Sequence, residues 1–200
     1  MLNKLLLLLL LVSVNTFAAP QIQTWETPRG VRVYFVGTSQ LPMLDIQVVF
    51  DAGTVRDPEG KRGVALLANS LMDQSAGGLD ADRISFEFER LGAEFGSQSG
   101  YDSASVSLRS LADPAKLQPA LDNLQTVLSR PDYQTEDLDR QRKQLLVGIQ
   151  GKQQSPGDIA DEKFMEAIYQ GHPYGYPTEG DATSLEAITR EDLVSFHKAF

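Results

Sequence analysis

The 200-residue chain has no cysteine and only two histidines, His172 and His197. The first absence excludes a disulfide framework, a thiolate metal site and a cysteine nucleophile. The second leaves little material for a histidine-based zinc site or a Ser-His-Asp triad. Positive charge is also scarce. Lys and Arg number 18 against 27 Asp and Glu, for a net charge of −9. Contact with nucleic-acid phosphates needs clustered Lys and Arg, so no nucleic-acid partner is expected. The sequence has no low-complexity tract and no obvious repeat. Hydrophobic residues make up 42%, the ordinary level for a globular domain, which argues against general disorder.

Only one long apolar run is present, and it sits at the start. Lys4 precedes eight apolar residues, 5–12, and Thr16-Phe17-Ala18 offers small residues at −3 and −1 of a cleavage site before Ala19. This three-part pattern reads as a secretory signal peptide over residues 1–18. A membrane span needs about 20 apolar residues, and Asn15 interrupts this run too early. Export without cysteine fits a bacterial periplasm, where disulfides are permitted but not required. No membrane association is expected after cleavage.

Strands are expected at 21–27 and 31–36, joined by Pro28-Arg29-Gly30 as a hairpin, and again at 43–50. A mostly apolar helix is expected over 63–73. Asp80 caps a second helix whose Ile84, Phe88 and Leu91 share a face and which Gly92 ends. Two strands, 93–99 and 101–111, follow, joined near Gly100. Four helices come after them: 113–129, 135–153, one capped by Asp158 and reaching 169, and a last one opened by the capping-box spacing of Thr189 and Asp192. Strands, helices, strands and then helices imply an α+β fold, an antiparallel or mixed sheet covered on one face by helices.

Several short runs, in this order, resemble the N-terminal domain of the pitrilysin/insulinase (M16) zinc peptidases. They are Phe50-Asp51-Ala52-Gly53, the stretch from Asp57 to Ala65, Leu91-Gly92-Ala93, His172-Pro173-Tyr174-Gly175 and the stretch from Thr189 to His197. The resemblance implies an M16-like N-terminal domain over 19–188, with 189–200 opening a following domain that is cut short.

Members of this family carry an inverted zinc motif, H-x-x-E-H, on the helix after the first loop. Imidazoles at i and i+4 share one helix face and grip the ion, while the Glu at i+3 activates the bound water. Matching Gly63-Val64-Ala65 puts these roles on Leu66, Asn69 and Ser70. Leu has no donor atom, Asn cannot take the proton, and neutral Ser is a poor zinc ligand. The downstream ligand falls on Gly148, and the supporting acid falls on Gln141. The resemblance therefore implies a member without catalytic residues and without the family zinc.

The remaining candidates have plainer readings. His172 and His197 stand apart, unlike clustered ligands. Asp80, Asp82, Glu136, Asp137 and Asp139 crowd helix starts, where acids act as caps and dipole partners. Ser97, Ser99, Ser103, Ser105 and Ser107 alternate along strands with no basic partner nearby, as a polar sheet face does. Gly30, Gly53 and Gly63 form no phosphate-cradling motif. Gly96, Ser97, Gln98, Ser99 and Gly100 read as a flat edge strand. In the family, an edge strand here takes up extended substrate by strand addition; an edge shielded by a partner domain accounts for it equally well.

The expected role is that of a non-catalytic partner subunit. It would help a catalytic, H-x-x-E-H-bearing M16 subunit form a chamber that holds an extended peptide. Two other readings remain: an active zinc endopeptidase with atypical ligands, and a purely structural scaffold.

Overall fold

Alternation of apolar and polar residues builds the main sheet. In the computed structural model, which describes residues 20–38 and 40–200, strand β7 (Ala104–Leu111) buries Ala104, Val106, Leu108 and Ser110 on one face. Its other face carries Ser105, Ser107 and Arg109. It lies between β3 (Met43–Phe50) and β6 (Glu94–Ser99), antiparallel to both. Across the polar face the Arg109 guanidinium donates to Asp45 on β3 at 2.6 Å. This face is therefore hydrated and charged, and the opposite one receives the helices.

The described residues form two compact units, those up to Pro42 and those from Met43 to Phe200. In the first, β1 (Ile22–Glu26) and β2 (Arg32–Val36) make an antiparallel hairpin with Trp25 opposite Val33. This is the hairpin expected around Pro28-Arg29-Gly30. The signal peptide expected at 1–18 lies outside the described residues.

In the second unit, helix α1 (Val64–Ser70) is the centre of the core, with Val64, Ala65, Leu67 and Ala68 all buried. Around it run the short pair β4 (Ser75–Ala76) and β5 (Leu79–Asp80), then α2 (Ala81–Glu89), α3 (Pro114–Ser129), α4 (Thr135–Lys152), α5 (Pro156–Ile168), α6 (Ala182–Ala187) and α7 (Arg190–Ala199). Helix α7 packs against α1 and buries Leu193 and Phe196 in the same core. The α+β class, an antiparallel sheet with helices on one face, is what the sequence pattern implied.

Several boundaries differ from those expected. The helix expected over 63–73 stops at Ser70, because the chain turns there to form the β4–β5 hairpin. The strand expected to start at 101 starts at Ala104; Gly100 closes a turn by donating its N–H to the Ser103 carbonyl at 2.9 Å. The fifth helix is capped by Ser155, with Pro156 in its first turn, rather than by Asp158. Helix α6 was not expected. Its signal is a capping box in which Asp181 accepts from the Ser184 N–H at 2.9 Å and Ser184 Oγ from the Asp181 N–H at 3.0 Å.

The start of α1 is fixed from outside the helix. Gly63 precedes it with φ +97 and offers no capping side chain. Asp57 substitutes, accepting the N–H of Gly63 at 2.7 Å and of Ala65 at 2.8 Å. Burial pushes the Asp57 carboxyl from 3.8 up to about 6, against the pull of these two N–H groups and of Arg62. The turn then meets the stretch before α6 backbone to backbone. A Cβ on Gly180 (φ +76) would stand 2.3 Å from the Arg62 carbonyl oxygen, and one on Gly63 would stand 2.7 Å from that of Glu179.

Gly180→Ala is expected to cost roughly 2–4 kcal/mol in urea unfolding, from left-handed strain plus the clash. Gly60→Ala, where φ is +71 and nothing lies within 4 Å, should cost about 1 kcal/mol. Equal losses would show that the close approach carries no weight. The Asp57 carboxyl holds its proton more tightly folded than unfolded, so its contribution to stability is full below pH 3.8 and is lost as pH rises to about 6. Asp57→Asn should remove that slope, read as the difference in unfolding midpoint between pH 4 and pH 6.5.

Candidate functional site

On α1, residues three and four apart share a face, so the sequence places Leu66, Asn69 and Ser70 together by helix geometry alone. The structure bears this spacing out but turns the three differently. Leu66 and Ser70 are half-buried, whereas Asn69 is only 6% exposed. Ser70 Oγ donates back to the Leu67 carbonyl at 3.4 Å, a local helix bond. Asn69 Oδ1 is buried and has no hydrogen-bond partner. A buried amide oxygen left without a donor costs about 1–3 kcal/mol, so Asn69 is not an optimal core residue.

The two downstream positions lie on α4. Gln141 is half-buried. Gly148 is exposed, with open space around the place where a Cβ would stand. Its neighbours Leu145, Leu146 and Ile149 pack on the core. The side chain that matters most here is Arg142. Its Nε donates to the Leu185 carbonyl at 2.9 Å and its Nη2 to the Ile188 carbonyl at 2.6 Å, satisfying the last turn of α6. Asp139 accepts from Nη1 at 2.5 Å.

Of the five residues expected to form an edge strand, Gly96, Ser97, Gln98 and Ser99 lie in β6, and Gly100 lies just beyond its end. Strand β6 pairs with β7 on one side only, among the described residues, and packs against α1. Gly96 permits this register, since a Cβ there would stand 2.9 Å from Ser107 Oγ. The structure thus packs α1 against β6. Helix α4 packs against α6 and contributes Leu138 to the core.

The two histidines play local parts. His172 Nδ1 accepts the Tyr174 N–H at 3.2 Å, capping the short turn Pro173–Gly175. His197, on α7, stands edge-on to the Tyr133 ring at 5.9 Å, and burial pushes its pKa below the usual imidazole value. Asp80 caps α2 by accepting the Arg83 N–H at 2.8 Å. Tyr133 is the residue that sequence reasoning missed. It has φ +48, is fully buried, and donates its hydroxyl to the Ala68 carbonyl of α1 at 3.0 Å. No local pattern announces it, because both its conformation and its partner are set by tertiary packing.

Leu66, Asn69, Ser70 and Gly148 do not fit a zinc ion. They offer one amide and one neutral hydroxyl, neither of them a good ligand, and the amide is buried in the core. Among the described residues no group of three or more His, Cys, Asp and Glu is placed to hold a metal.

Restoring the missing base at this position should be costly. Asn69→Glu places a carboxyl in an apolar setting and is expected to lose roughly 2–4 kcal/mol at pH 7 and to recover part of it at pH 4.5. Asn69→Leu removes the unpaired oxygen and should be neutral or stabilising. Thermal unfolding of both variants reads this; an Asn69→Glu protein as stable as the native one would contradict the core position.

Comparison with known proteins places this geometry. The family model of insulinase (peptidase family M16) matches residues 33–182. The crystal structure of a peptidase M16 inactive domain from Pseudomonas fluorescens superposes with a TM-score of 0.86 at 38% identity, over 88% of this chain and 43% of that one. A curated relative from Rickettsia felis, an uncharacterized zinc protease, is 23% identical over 80% of this chain and 39% of its own length. Subunit 1 of the mitochondrial cytochrome b-c1 complex of Bos taurus is 21% identical over 90% of this chain and 37% of its own length. The chain thus spans about two fifths of the length of these curated relatives. With three quarters of its residues inside the family model and the same fold in the Pseudomonas domain, the chain belongs to the insulinase family of peptidases, M16.

Proposed function

We propose that this chain is a non-catalytic M16 homologue that binds no zinc and serves as the partner of a catalytic, H-x-x-E-H-bearing M16 subunit. Its part is to help form the chamber in which an extended peptide is held while the other subunit cuts. The observation that carries this reading is the set Leu66, Asn69, Ser70 and Gly148, which stands on the helices that the family uses for its metal and supplies no ligand set. The description of the Pseudomonas relative as an inactive domain supports it. The free edge of β6 beside α1 supplies backbone groups that an extended chain can pair with. In this reading residues 19–188 are the M16-like N-terminal domain, residues 189–200 begin the next, and removal of 1–18 delivers the protein to the periplasm. No helix among the described residues is long and apolar enough to cross a membrane. A scaffold role is the second reading, favoured by the relative in the cytochrome b-c1 complex.

Metal analysis and affinity purification from the native host test the proposal together. The purified protein should carry far less than one zinc per chain and cleave no peptide by itself. It should retain an H-x-x-E-H-bearing subunit whose peptidase activity rises on recombination. One zinc per chain with intrinsic activity would establish an enzyme with atypical ligands. Stable assembly without any effect on peptide hydrolysis would establish the scaffold.

A further inference from the structure

The solvent-facing side of the main sheet is ordered in rows. Register sets Asp45, Arg109 and Glu94 side by side across β3, β7 and β6, and sets Gln47, Ser107 and Gly96 side by side in the next row. The second row is shallow, because Ser107 is small and Gly96 has no side chain. The space above it is an open trough of about 510 Å³. The first row forms its wall. There the half-exposed Arg109 guanidinium is held in plane by Asp45, to which Nε donates at 2.6 Å and Nη2 at 3.3 Å. Glu94 lies 4.0 Å from the same guanidinium.

At its outer end the trough opens on the edge of β6, which among the described residues pairs with no strand other than β7. Past Ser99 this edge is closed, since the Gly100 carbonyl accepts the Thr54 N–H at 3.0 Å. A strand added to β6 therefore runs along 94–99 and sets one side chain directly beside Gly96 on this face. That side chain has the trough in front of it and the Arg109 row about 7 Å away, the span of two residues along a strand. An acidic side chain there would meet two carboxylates for one guanidinium, and a basic one would meet Arg109. A flat ring suits the place best. An aromatic residue covers an edge glycine on the neighbouring strand, and a guanidinium fixed in plane attracts the face of a ring. An aliphatic side chain gains the contact without that attraction.

We propose that the trough over Gly96 is a specificity pocket for an aromatic side chain of a peptide held on the β6 edge, with Arg109 as the residue that favours an aromatic ring over an aliphatic one. This rests on the reading above in which the edge takes up an extended peptide.

Three seven-residue peptides test it. Each is built of Thr with a Lys at either end, and they differ only in the central residue, Phe, cyclohexylalanine or Ala. Titrated into the purified protein and followed by amide NMR, they should give saturable shifts on β6. Phe should bind about tenfold tighter than Ala and about threefold tighter than cyclohexylalanine. Arg109→Gln should remove the preference for Phe over cyclohexylalanine and keep that of both over Ala. Gly96→Thr, made together with Ser107→Ala because a Cβ at 96 would stand 2.9 Å from Ser107 Oγ, closes the mouth of the trough. It should reduce the tenfold preference to about twofold; if circular dichroism shows this double variant unfolded, Arg109→Gln alone decides. Equal affinity for Phe and Ala, a preference for Phe over cyclohexylalanine that Arg109→Gln leaves intact, or no saturable shift on β6 would each overturn the proposal. The first two outcomes leave the edge reading in place, and the third removes it as well.

Discussion

The second unit depends on one close approach, where the peptide backbone of Arg62 and Gly63 lies directly against that of Glu179 and Gly180. No side chain fits between them, since a Cβ on either glycine would fall inside the opposite carbonyl's contact distance. From this joint the rest follows in order. Asp57 caps α1 just beyond it. Arg62 stacks on the Tyr176 ring, 3.3 Å from its centroid. Lys61 donates to the Ala187 carbonyl and to Asp192 at 2.7 Å, which ties the turn to the start of α7. Two of the runs that resemble the family, Asp57 to Ala65 and Thr189 to His197, are thus tied together here.

This arrangement separates architecture from chemistry. Helix α1 has its buried face in the core and packs against β6, and Leu66, Asn69 and Ser70 stand along it. Retaining the helix requires only the glycine joint, the Asp57 cap, the Tyr133 hydroxyl on its last turn and a well-packed apolar face. None of these contacts involves the side chains of Leu66, Asn69 or Ser70. Asn69 is a polar group left without a partner for its oxygen in the core.

The sheet presents its two faces and its edges to different tasks. The helix-facing side is apolar and covered by the helices. The other side carries the Asp45–Arg109 pair and a row of serines and is suited to water. The outer edge of β6, lined with small and polar residues, leaves backbone donors and acceptors for an added strand.

Periodicity and capping made most elements legible from the residues alone. The alternation in β7, the spacing of Ile84, Phe88 and Leu91, and the Asp80 and Thr189 caps are local signals, and each corresponds to an element of the structure. The identities of Leu66, Asn69, Ser70 and Gly148 are likewise read directly from the residues. What the sequence could not show were facts made by distant segments meeting. The end of α1 at Ser70 depends on the hairpin that follows, and the roles of Tyr133 and Arg142 depend on carbonyl groups 65 and 43 residues away. The burial of Asn69 arises only when α1 packs into the core. Local preference chooses a helix, but only tertiary packing decides which of its polar groups is left without a partner.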